Sequence, residues 1–401
     1  MADVTKINGY IIKDANAPHP SNAGSAGQIL KKTETGTEWA DASFKPAGKS
    51  YLTFSSPNSF TLKVNDTTKH WDGILEYFSS NRTWTTWDGT TTLSAVADDG
   101  EYVLYLRGTG NTVITGNNEN YRWILTGSDI KCIGNIENLL DYATVESGAH
   151  PTMADYCYRS MFQGCTSLTQ APALSATTLA AYCYNGMFSG CTSLTQAPTL
   201  PATTLPYYCY KGMFYGCTAL TQAPALPAMT LMEGCYQEMF SNCTSLTQAP
   251  ALPAITLAQF CYFCMFEGCT SLTQVPALPA TELYSGCYER MFKGCTSIKL
   301  SSTKTGEYTQ VYRIPSSGTS DNAPVGSNMF ANTGGTFTET PVINTTYYLS
   351  SDNMVVRETE ISTLNGYVGS MIDGKVPTAI TNAKIDEICG TTILNAEDVV
   401  L

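Results

Sequence analysis

The chain has 401 residues, of which 14% are charged, and its formal net charge at pH 7 is −12. Soluble proteins contain about 25% charged residues, so Thr, Ser, Asn, Gln and Gly must carry much of the solubility here. Nucleic-acid binding needs concentrated Lys and Arg to displace counterions, and because the sequence has no such cluster we expect no nucleic-acid partner.

The first fifteen residues, MADVTKINGYIIKDA, lack the basic start and apolar run of a secretory signal peptide. No stretch of the chain approaches the roughly 20 apolar residues that cross a bilayer. We therefore expect synthesis in a cytoplasm, no signal peptide and no membrane insertion.

Residues 1–50 are rich in Gly, Ala, Asn and Pro and contain only short extended runs. Their apolar surface is too small for an independent core. We expect this segment to be ordered by a partner or by copies of itself, with a flexible tail as the alternative.

Residues 51–134 read as short strands separated by Asp-Gly turns, which favours an antiparallel β-sandwich. The predicted strands are residues 51–54, 59–64, 74–77, 82–87, 102–106, 112–114 and 121–125. Four tryptophans lie in this region, at Trp71, Trp84, Trp87 and Trp123. We expect at least two of them to pack in the core, and the alternative use is stacking on sugar rings.

Residues 135–144 (NIENLLDYAT) have apolar side chains on one side of a short predicted helix. This helix directly precedes the repeats described next. Because the first unit of a repeat array exposes an apolar end, we expect the helix to cover it.

One motif occurs six times with a period of 26 residues, and its Met-Phe pairs begin at Met161, Met187, Met213, Met239, Met265 and Met291. The frame is Cys-Tyr-x-x-Met-Phe-x-(Gly/Asn)-Cys-Thr-(Ser/Ala)-(Leu/Ile). A fixed period of this length is typical of a solenoid, since one unit cannot bury its own apolar face. We predict a solenoid over residues 135–350, with the run from Cys to Met-Phe forming a helical or 3₁₀ turn.

Stacking such repeats would bring equivalent side chains into columns inside the solenoid. Two columns are cysteines: Cys157, Cys183, Cys209, Cys235, Cys261 and Cys287, then Cys165, Cys191, Cys217, Cys243, Cys269 and Cys295. A third is the ladder of Phe162, Phe188, Phe214, Phe240, Phe266 and Phe292. We interpret these three columns as the structural core.

The chemistry of the cysteine columns has three interpretations. Neighbours about 4.8 Å apart along a stack are spaced more widely than the Cβ atoms of a disulfide, which favours buried free thiols. Disulfides are the second alternative. Zinc is the third, although its four ligands must converge tetrahedrally; we expect no metal and no cofactor.

The repeat frame drifts after Ile298. Met329 and Phe330 follow the last regular Met-Phe pair after one period plus an insertion. We predict that residues 328–348 form a decayed seventh repeat, and that residues 351–401 form a small capping or docking segment.

Positions that vary within the fixed frame are the candidate binding residues, because neighbouring repeats would bring them into one strip. The aromatic candidates are Tyr182, Tyr207, Tyr208, Tyr215, Phe260 and Phe263. The charged candidates are Arg159, Lys211, Glu238 and Arg290. The alternative is neutral variation on a solvated face.

Catalytic motifs are absent from the sequence. The three histidines share no motif with a nucleophile or a carboxylate pair, and neither a phosphate-binding Gly loop nor a nucleophile elbow occurs. We expect no enzymatic activity. The alternative is a polysaccharide depolymerase with two carboxylates far apart in the sequence.

The words CYxxMF, FSGCTSLTQAP and LPATTL resemble the leucine-rich repeats of BspA-like bacterial surface antigens. The chain departs from that pattern in its Met-Phe pair and in its Gln-Ala-Pro step. The resemblance implies a fold that is mainly β with short helices: an N-terminal attachment segment, an antiparallel β-sandwich, then a leucine-rich-repeat solenoid.

TKINGYIIKDA and GQILKKTETGTEW resemble the attachment segments of phage tail-fibre and receptor-binding proteins. This resemblance implies a virion protein in a tail or appendage. Its partners would be tail or baseplate proteins at residues 1–50 and a host cell-surface glycan or protein at the distal part. Such fibres are homo-oligomers, often trimers. The alternative is a bacterial cell-surface adhesin.

Overall fold

The protein is mainly β in the computed structural model, with 25% of residues in strands and 4% in helix. The structure describes residues 44–46, 51–66, 69–314 and 326–356, and before them the backbone of four short strands.

The four early strands form two antiparallel hairpins. Strand β1 (Thr5–Ile7) pairs with β2 (Tyr10–Ile12), and β3 (Gln28–Thr33) pairs with β4 (Gly36–Asp41). They overlap the short extended runs predicted at residues 6–12, 28–32 and 37–40, and three of them extend beyond a run by one residue at one or both ends.

Residues 51–134 contribute strands to two sheets. The strands are β5 (Leu52–Ser56), β6 (Thr61–Val64), β7 (Ile74–Phe78), β8 (Trp84–Trp87), β9 (Leu93–Ser94), β10 (Val96–Asp98), β11 (Glu101–Thr109), β12 (Trp123–Thr126) and β13 (Ile130–Ile133). The larger sheet has the order β14-β13-β5-β11-β7-β8 with β10 beside β11, where β14 (Leu168–Gln170) comes from the first repeat. The smaller sheet has the order β12-β6-β9.

The two sheets share one hydrophobic core, and aromatic rings join them. The Phe54 ring of the larger sheet lies 6.4 Å from the Trp123 ring of the smaller one, and Trp87 lies 5.5 Å from Trp123. Trp71, Trp87 and Trp123 are all buried. The expected core role is confirmed for these three tryptophans, so sugar stacking on them is excluded.

The strand predicted at residues 112–114 is wrong, because these backbone groups find partners outside a sheet. The Asp72 carboxylate accepts hydrogen bonds from the N–H groups of Thr112 (2.8 Å) and Val113 (3.2 Å). The next N–H, of Ile114, donates to the Cys157 carbonyl of the first repeat at 2.9 Å. This segment therefore connects the sheets to the repeats.

The predicted helix is present as α1 (Asn138–Glu146), which begins three residues later than expected. Its Leu139 and Leu140 are buried, and Asp141 interrupts it with φ −151°. Two residues before the helix, Ile136 bonds to the first repeat: its N–H donates to the Ala173 carbonyl at 3.0 Å. Among the described residues, no helix is long and apolar enough to span a membrane.

Each repeat begins with a run of separate tight turns, each closed by an N–H to carbonyl bond three residues apart as in a single 3₁₀ turn. Of the two predicted alternatives, the helical turn is therefore wrong. In the first copy the Met161 N–H donates to the Tyr158 carbonyl and the Cys165 N–H donates to Phe162. Every fourth residue of the run has positive φ: Tyr156 (62°), Ser160 (52°) and Gly164 (76°). A residue in this left-handed region ends a helix after a single turn, which is why the run cannot continue as one.

The N–H groups that do not close a turn donate hydrogen bonds to the following copy. The N–H groups of Tyr158 and Phe162 donate to Cys183 (2.8 Å) and Met187 (2.9 Å) of the following copy. The same pattern runs to the end, where Phe292 donates to Met329 at 3.0 Å. The copies therefore lie side by side in parallel, and we call this arrangement the repeat stack.

Aromatic ladders fill the repeat stack. The phenylalanine rings from Phe162 to Phe292 lie parallel, with centroids 5.7–5.8 Å apart from one copy to the next. A second ladder of buried tyrosines has spacings of 5.7–6.0 Å. Its members are Tyr158, Tyr184, Tyr210, Tyr236, Tyr262 and Tyr288.

The cysteines of both columns are buried, and none of them forms a disulfide within the part of the chain that the structure describes. In the second column the thiol also reaches the preceding copy: Cys191 Sγ donates to the Phe162 carbonyl at 3.1 Å, and Cys295 Sγ donates to Phe266 at 2.9 Å. A thiol at this position therefore fills space and makes a weak hydrogen bond. Within the described residues, no cluster of His, Cys, Asp or Glu is arranged to hold a metal.

Short strands occur along the stack and at its end. They are β15 (Thr204–Leu205), β16 (Thr230–Leu231), β17 (Gln274–Pro276), β18 (Leu300–Ser301), β19 (Tyr308–Arg313), β20 (Thr346–Ser350) and β21 (Met354–Val356). Strands β15 and β16 pair in parallel, as do β17 and β21, whereas β18, β20 and β19 form an antiparallel sheet.

The end of the stack only partly follows the predicted seventh repeat. Phe330 continues the ladder 5.6 Å from Phe292. However, the last part of the predicted repeat belongs to the antiparallel sheet, because Tyr347 pairs with Tyr312 of the insertion. Residues beyond 356, which include most of the predicted capping segment 351–401, lie outside the described residues.

Candidate functional site

One position of the repeat frame, directly before Cys-Tyr, carries aromatic side chains on a strained backbone. Tyr156, Tyr182, Tyr208 and Phe260 have φ values of 62°, 57°, 52° and 54°. For an L-residue this region costs about 1–2 kcal/mol, and the same φ recurs at every fourth residue of the turns, so it is imposed by the repeat backbone. We call these four residues the aromatic row.

The rings of the aromatic row pack along the stack. Tyr156 and Tyr182 lie 4.6 Å apart and Tyr182 and Tyr208 lie 5.1 Å apart, both nearly parallel. The next copy has Gly234 at this position, and the Tyr208 ring lies where a Cβ atom of that residue would stand. The glycine therefore provides the space that the tyrosine ring occupies.

A second position, directly after Cys-Tyr, runs beside the aromatic row. Successive copies place Arg159, Asn185, Lys211, Gln237 and Phe263 there. We call these five residues the polar row.

The two rows enclose an open groove of about 650 Å³, which we call the recognition groove. It is lined by Asn117, Tyr156, Arg159, Tyr182, Asn185, Tyr208, Lys211, Gln237, Phe260 and Phe263. Six predicted site residues therefore come together: Tyr182, Tyr208, Phe260, Phe263, Arg159 and Lys211.

Four lining residues are not among the ten named candidates. Tyr156, Asn185 and Gln237 occupy the same frame positions as predicted neighbours, so the 26-residue spacing was a sufficient signal for them. Asn117 precedes the repeats and enters through a contact, because Arg159 Nη1 donates to its carbonyl at 2.8 Å and to its Oδ1 at 2.9 Å. Nothing in the sequence pattern indicates that contact.

Four predicted site residues are not among those that line the groove. Tyr207 lines a separate depression with Met232, and Tyr215 is exposed at another frame position. Arg290 forms an ion pair with Glu267 at 2.6 Å. Glu238 occupies a turn position with φ 57°.

The two cations of the groove form no ion pair with any residue that the structure describes. The Arg159 guanidinium lies 5.8 Å from the Tyr156 ring centre, and the Lys211 ammonium lies 5.7 Å from the Tyr208 ring centre. These are cation–π distances. Both positive charges are therefore held beside aromatic rings without a neutralising carboxylate.

Two carboxylates near the aromatic row have internal partners. Asp155 accepts a hydrogen bond from the Ala181 N–H at 3.0 Å, and Glu233 accepts one from the Tyr208 hydroxyl. Burial, and then the hydrogen bond and charge of Glu233, raise the pKa of Tyr208. The phenol therefore stays protonated at neutral pH, and its proton is donated to Glu233.

The arrangement offers cations, amides and phenols to a ligand. These groups bind and orient a polar molecule, and they include no nucleophile paired with a base. The groove therefore has the chemistry of a binding site.

No family model matches the sequence, and no curated protein or solved structure matches it either. The two resemblances noted above thus remain predictions. The function has to be argued from the groove and from the residues that build it.

Proposed function

We propose that the protein is a non-catalytic phage virion component, a tail fibre or receptor-binding appendage, which presents the recognition groove to the host cell. The observation that carries this proposal is the aromatic row. Four aromatic residues in equivalent frame positions line one groove together with two cations that form no ion pair with the described residues.

The architecture that we propose is a leucine-rich-repeat solenoid over residues 135–350, preceded by an antiparallel β-sandwich over residues 51–134. The hydrogen bonds between copies and the phenylalanine ladder support the solenoid. The shared core of the two sheets supports the sandwich. A solenoid suits recognition because neighbouring copies repeat a surface position at a constant spacing.

The proposed attachment to the virion rests on the words of residues 1–50 that resemble tail-fibre segments. That segment would bind tail or baseplate proteins, in a homo-oligomer for which a trimer is the usual arrangement of such fibres. The adhesin is the second candidate, and it is favoured by the BspA-like words of the repeats.

Replacing Tyr182 and Tyr208 with glycine tests the groove. Glycine already occupies this frame position at Gly234 and Gly286, and at positive φ it relieves about 1–2 kcal/mol of strain per site, which offsets the lost ring contacts. Purified full-length chain should compete with virions for host cells, and the double variant should compete at least about tenfold less well, a loss of about 1.4 kcal/mol.

The matched control removes two tyrosines outside the groove, Tyr207→Ala with Tyr215→Ala, and it should compete like the unmodified chain. Circular dichroism melting curves should show all three proteins folded. Equal competition by the glycine variant and the unmodified chain would exclude the groove as the receptor site.

A further inference from the structure

The polar row alternates in chemistry along the stack. Its successive members are a cation, an amide, a second cation and a second amide: Arg159, Asn185, Lys211 and Gln237. Phe263 ends the row. Side chains two copies apart therefore have the same charge, whereas neighbouring side chains alternate between a cation and a neutral amide.

The spacing follows from the stacking. Parallel backbone segments that exchange hydrogen bonds lie about 4.8 Å apart, so Arg159 and Lys211 are separated by about 10 Å. This distance is comparable with the length of two sugar units in an extended chain. Each copy of the repeat thus corresponds to about one sugar.

The charge of the groove opposes the charge of the molecule. The formal net charge of the chain is −12, yet the groove holds two cations that form no ion pair with the described residues. Of the acids beside it, Asp155 and Glu233 are engaged by internal hydrogen bonds, and Glu238 accepts one from the Gln237 amide at 3.4 Å. Glu289 has the polar-row position of the sixth copy and lies at the Phe260 end, away from the two cations. An anionic ligand satisfies both cations, whereas a neutral or cationic one leaves them without a counter-charge.

The aromatic row favours a hydroxyl-bearing ligand over an apolar one. The faces of Tyr156, Tyr182 and Tyr208 lie against one another, so ring edges remain for a ligand. Phenol groups, amides and cations form hydrogen bonds with sugar hydroxyls and carboxylates. An apolar peptide segment would gain little from such a wall.

We propose that the groove binds a linear acidic polysaccharide that carries an anionic group on every second sugar and lies along the stack. Its anionic groups contact Arg159 and Lys211, and the intervening sugars contact Asn185 and Gln237. Phe260 and Phe263 close the far end. This inference rests on the proposed receptor-binding function and names the ligand class of that same groove.

Binding of polysaccharide probes to the full-length chain tests this inference. The probes are hyaluronan oligosaccharides and unsulfated chondroitin oligosaccharides, which are acidic on alternate sugars, and neutral dextran of matched length. Titration calorimetry should show binding to at least one of the two acidic probes and none to dextran. Because the contacts are charge-assisted, the affinity should fall as salt is raised.

Single substitutions assign the contacts. Arg159→Gln and Lys211→Gln should each weaken binding of the acidic probe about tenfold or more, since a hydrogen bond to a charged group contributes about 1.5–3 kcal/mol. The control Lys63→Gln removes the same charge from an exposed position on β6 and should leave the affinity unchanged.

With the probes, binding of dextran as tight as that of the acidic probes, or no binding of either acidic probe, would overturn the inference. With the variants, an affinity that neither groove substitution changes would overturn it. A failure here is distinguishable from a failure of the proposed function. If the glycine variant loses competition for host cells while no acidic probe binds, the receptor site stands and its ligand is of another class. Loss of cell binding after protease treatment of the cells would then indicate a protein receptor.

Discussion

Raising the pH above about 8.5 is expected to destabilise the protein steeply, because its buried thiols cannot ionise while it is folded. Burial raises the pKa of Cys165 to about 11 and that of Cys217 to about 12. Burial, and then the charge of neighbouring thiols, also raise the pKa of Cys191, Cys243 and Cys269.

The sign follows from proton binding. Below the unfolded-state pKa of about 8.5 both states hold the thiol proton, and the stability is complete. Above it the unfolded state releases protons that the folded state keeps, so each thiol removes about 1.4 kcal/mol of unfolding free energy per pH unit until its folded pKa is reached. The unfolding free energy that several thiols remove together therefore equals a typical total stability of about 5–15 kcal/mol within about one to two pH units.

Urea denaturation at a series of pH values, with a phosphine reductant present, measures this slope. The variant Cys217→Ala should show a slope shallower by about 1.4 kcal/mol per pH unit, since one such proton is missing. An unfolding free energy that is constant from about pH 8 to about pH 10 would contradict the burial of the cysteine columns.

Replacing Phe214 with alanine is expected to cost about 3–5 kcal/mol of unfolding free energy, as for other buried phenylalanines. Phe214 is fully buried, and its ring lies 5.7 Å from both Phe188 and Phe240. The cavity would interrupt the ladder between two copies that depend on each other for burial. Chemical denaturation followed by circular dichroism gives the change.

The matched control is the next residue, Tyr215→Ala, which removes an aromatic ring that is 40% exposed. It should change the unfolding free energy by less than about 0.5 kcal/mol. Equal costs for the two variants would mean that the phenylalanine ladder does not stabilise the stack.

The sequence was sufficient to predict which repeat positions are buried, but not the backbone that buries them. Met161 and Phe162 read as one face of a helical turn, whereas they lie in consecutive tight turns. The informative signal was a four-residue spacing of glycines, as at Gly186 and Gly190. Non-glycine residues such as Tyr182 at the same positions hide that signal.

Residues 51–134 show a similar limit. Their main strands and their buried tryptophans could be predicted from alternation and turn residues. Residues 112–114 could not, because their backbone partners are Asp72 and Cys157, which lie far away in the sequence. A strand-like pattern cannot reveal that a distant side chain has replaced a neighbouring strand.

The candidate site could be predicted as a set of variable positions but not as a single surface. Tyr207 and Tyr208 are adjacent in sequence, yet only Tyr208 has positive φ and lines the groove. The turn geometry decides which of the two enters the aromatic row. Arg290 was grouped with the groove cations, but it stands one frame position later, at a turn residue with φ 55°, and it pairs with Glu267.

The location of the chain in a virus particle tests the central claim most directly. Particles purified from the source of this gene would be labelled with gold-conjugated antibody to residues 135–350 and viewed by electron microscopy. The account predicts gold at the distal end of tails or appendages on intact particles. Gold confined to the envelope of uninfected cells would contradict it and favour the adhesin.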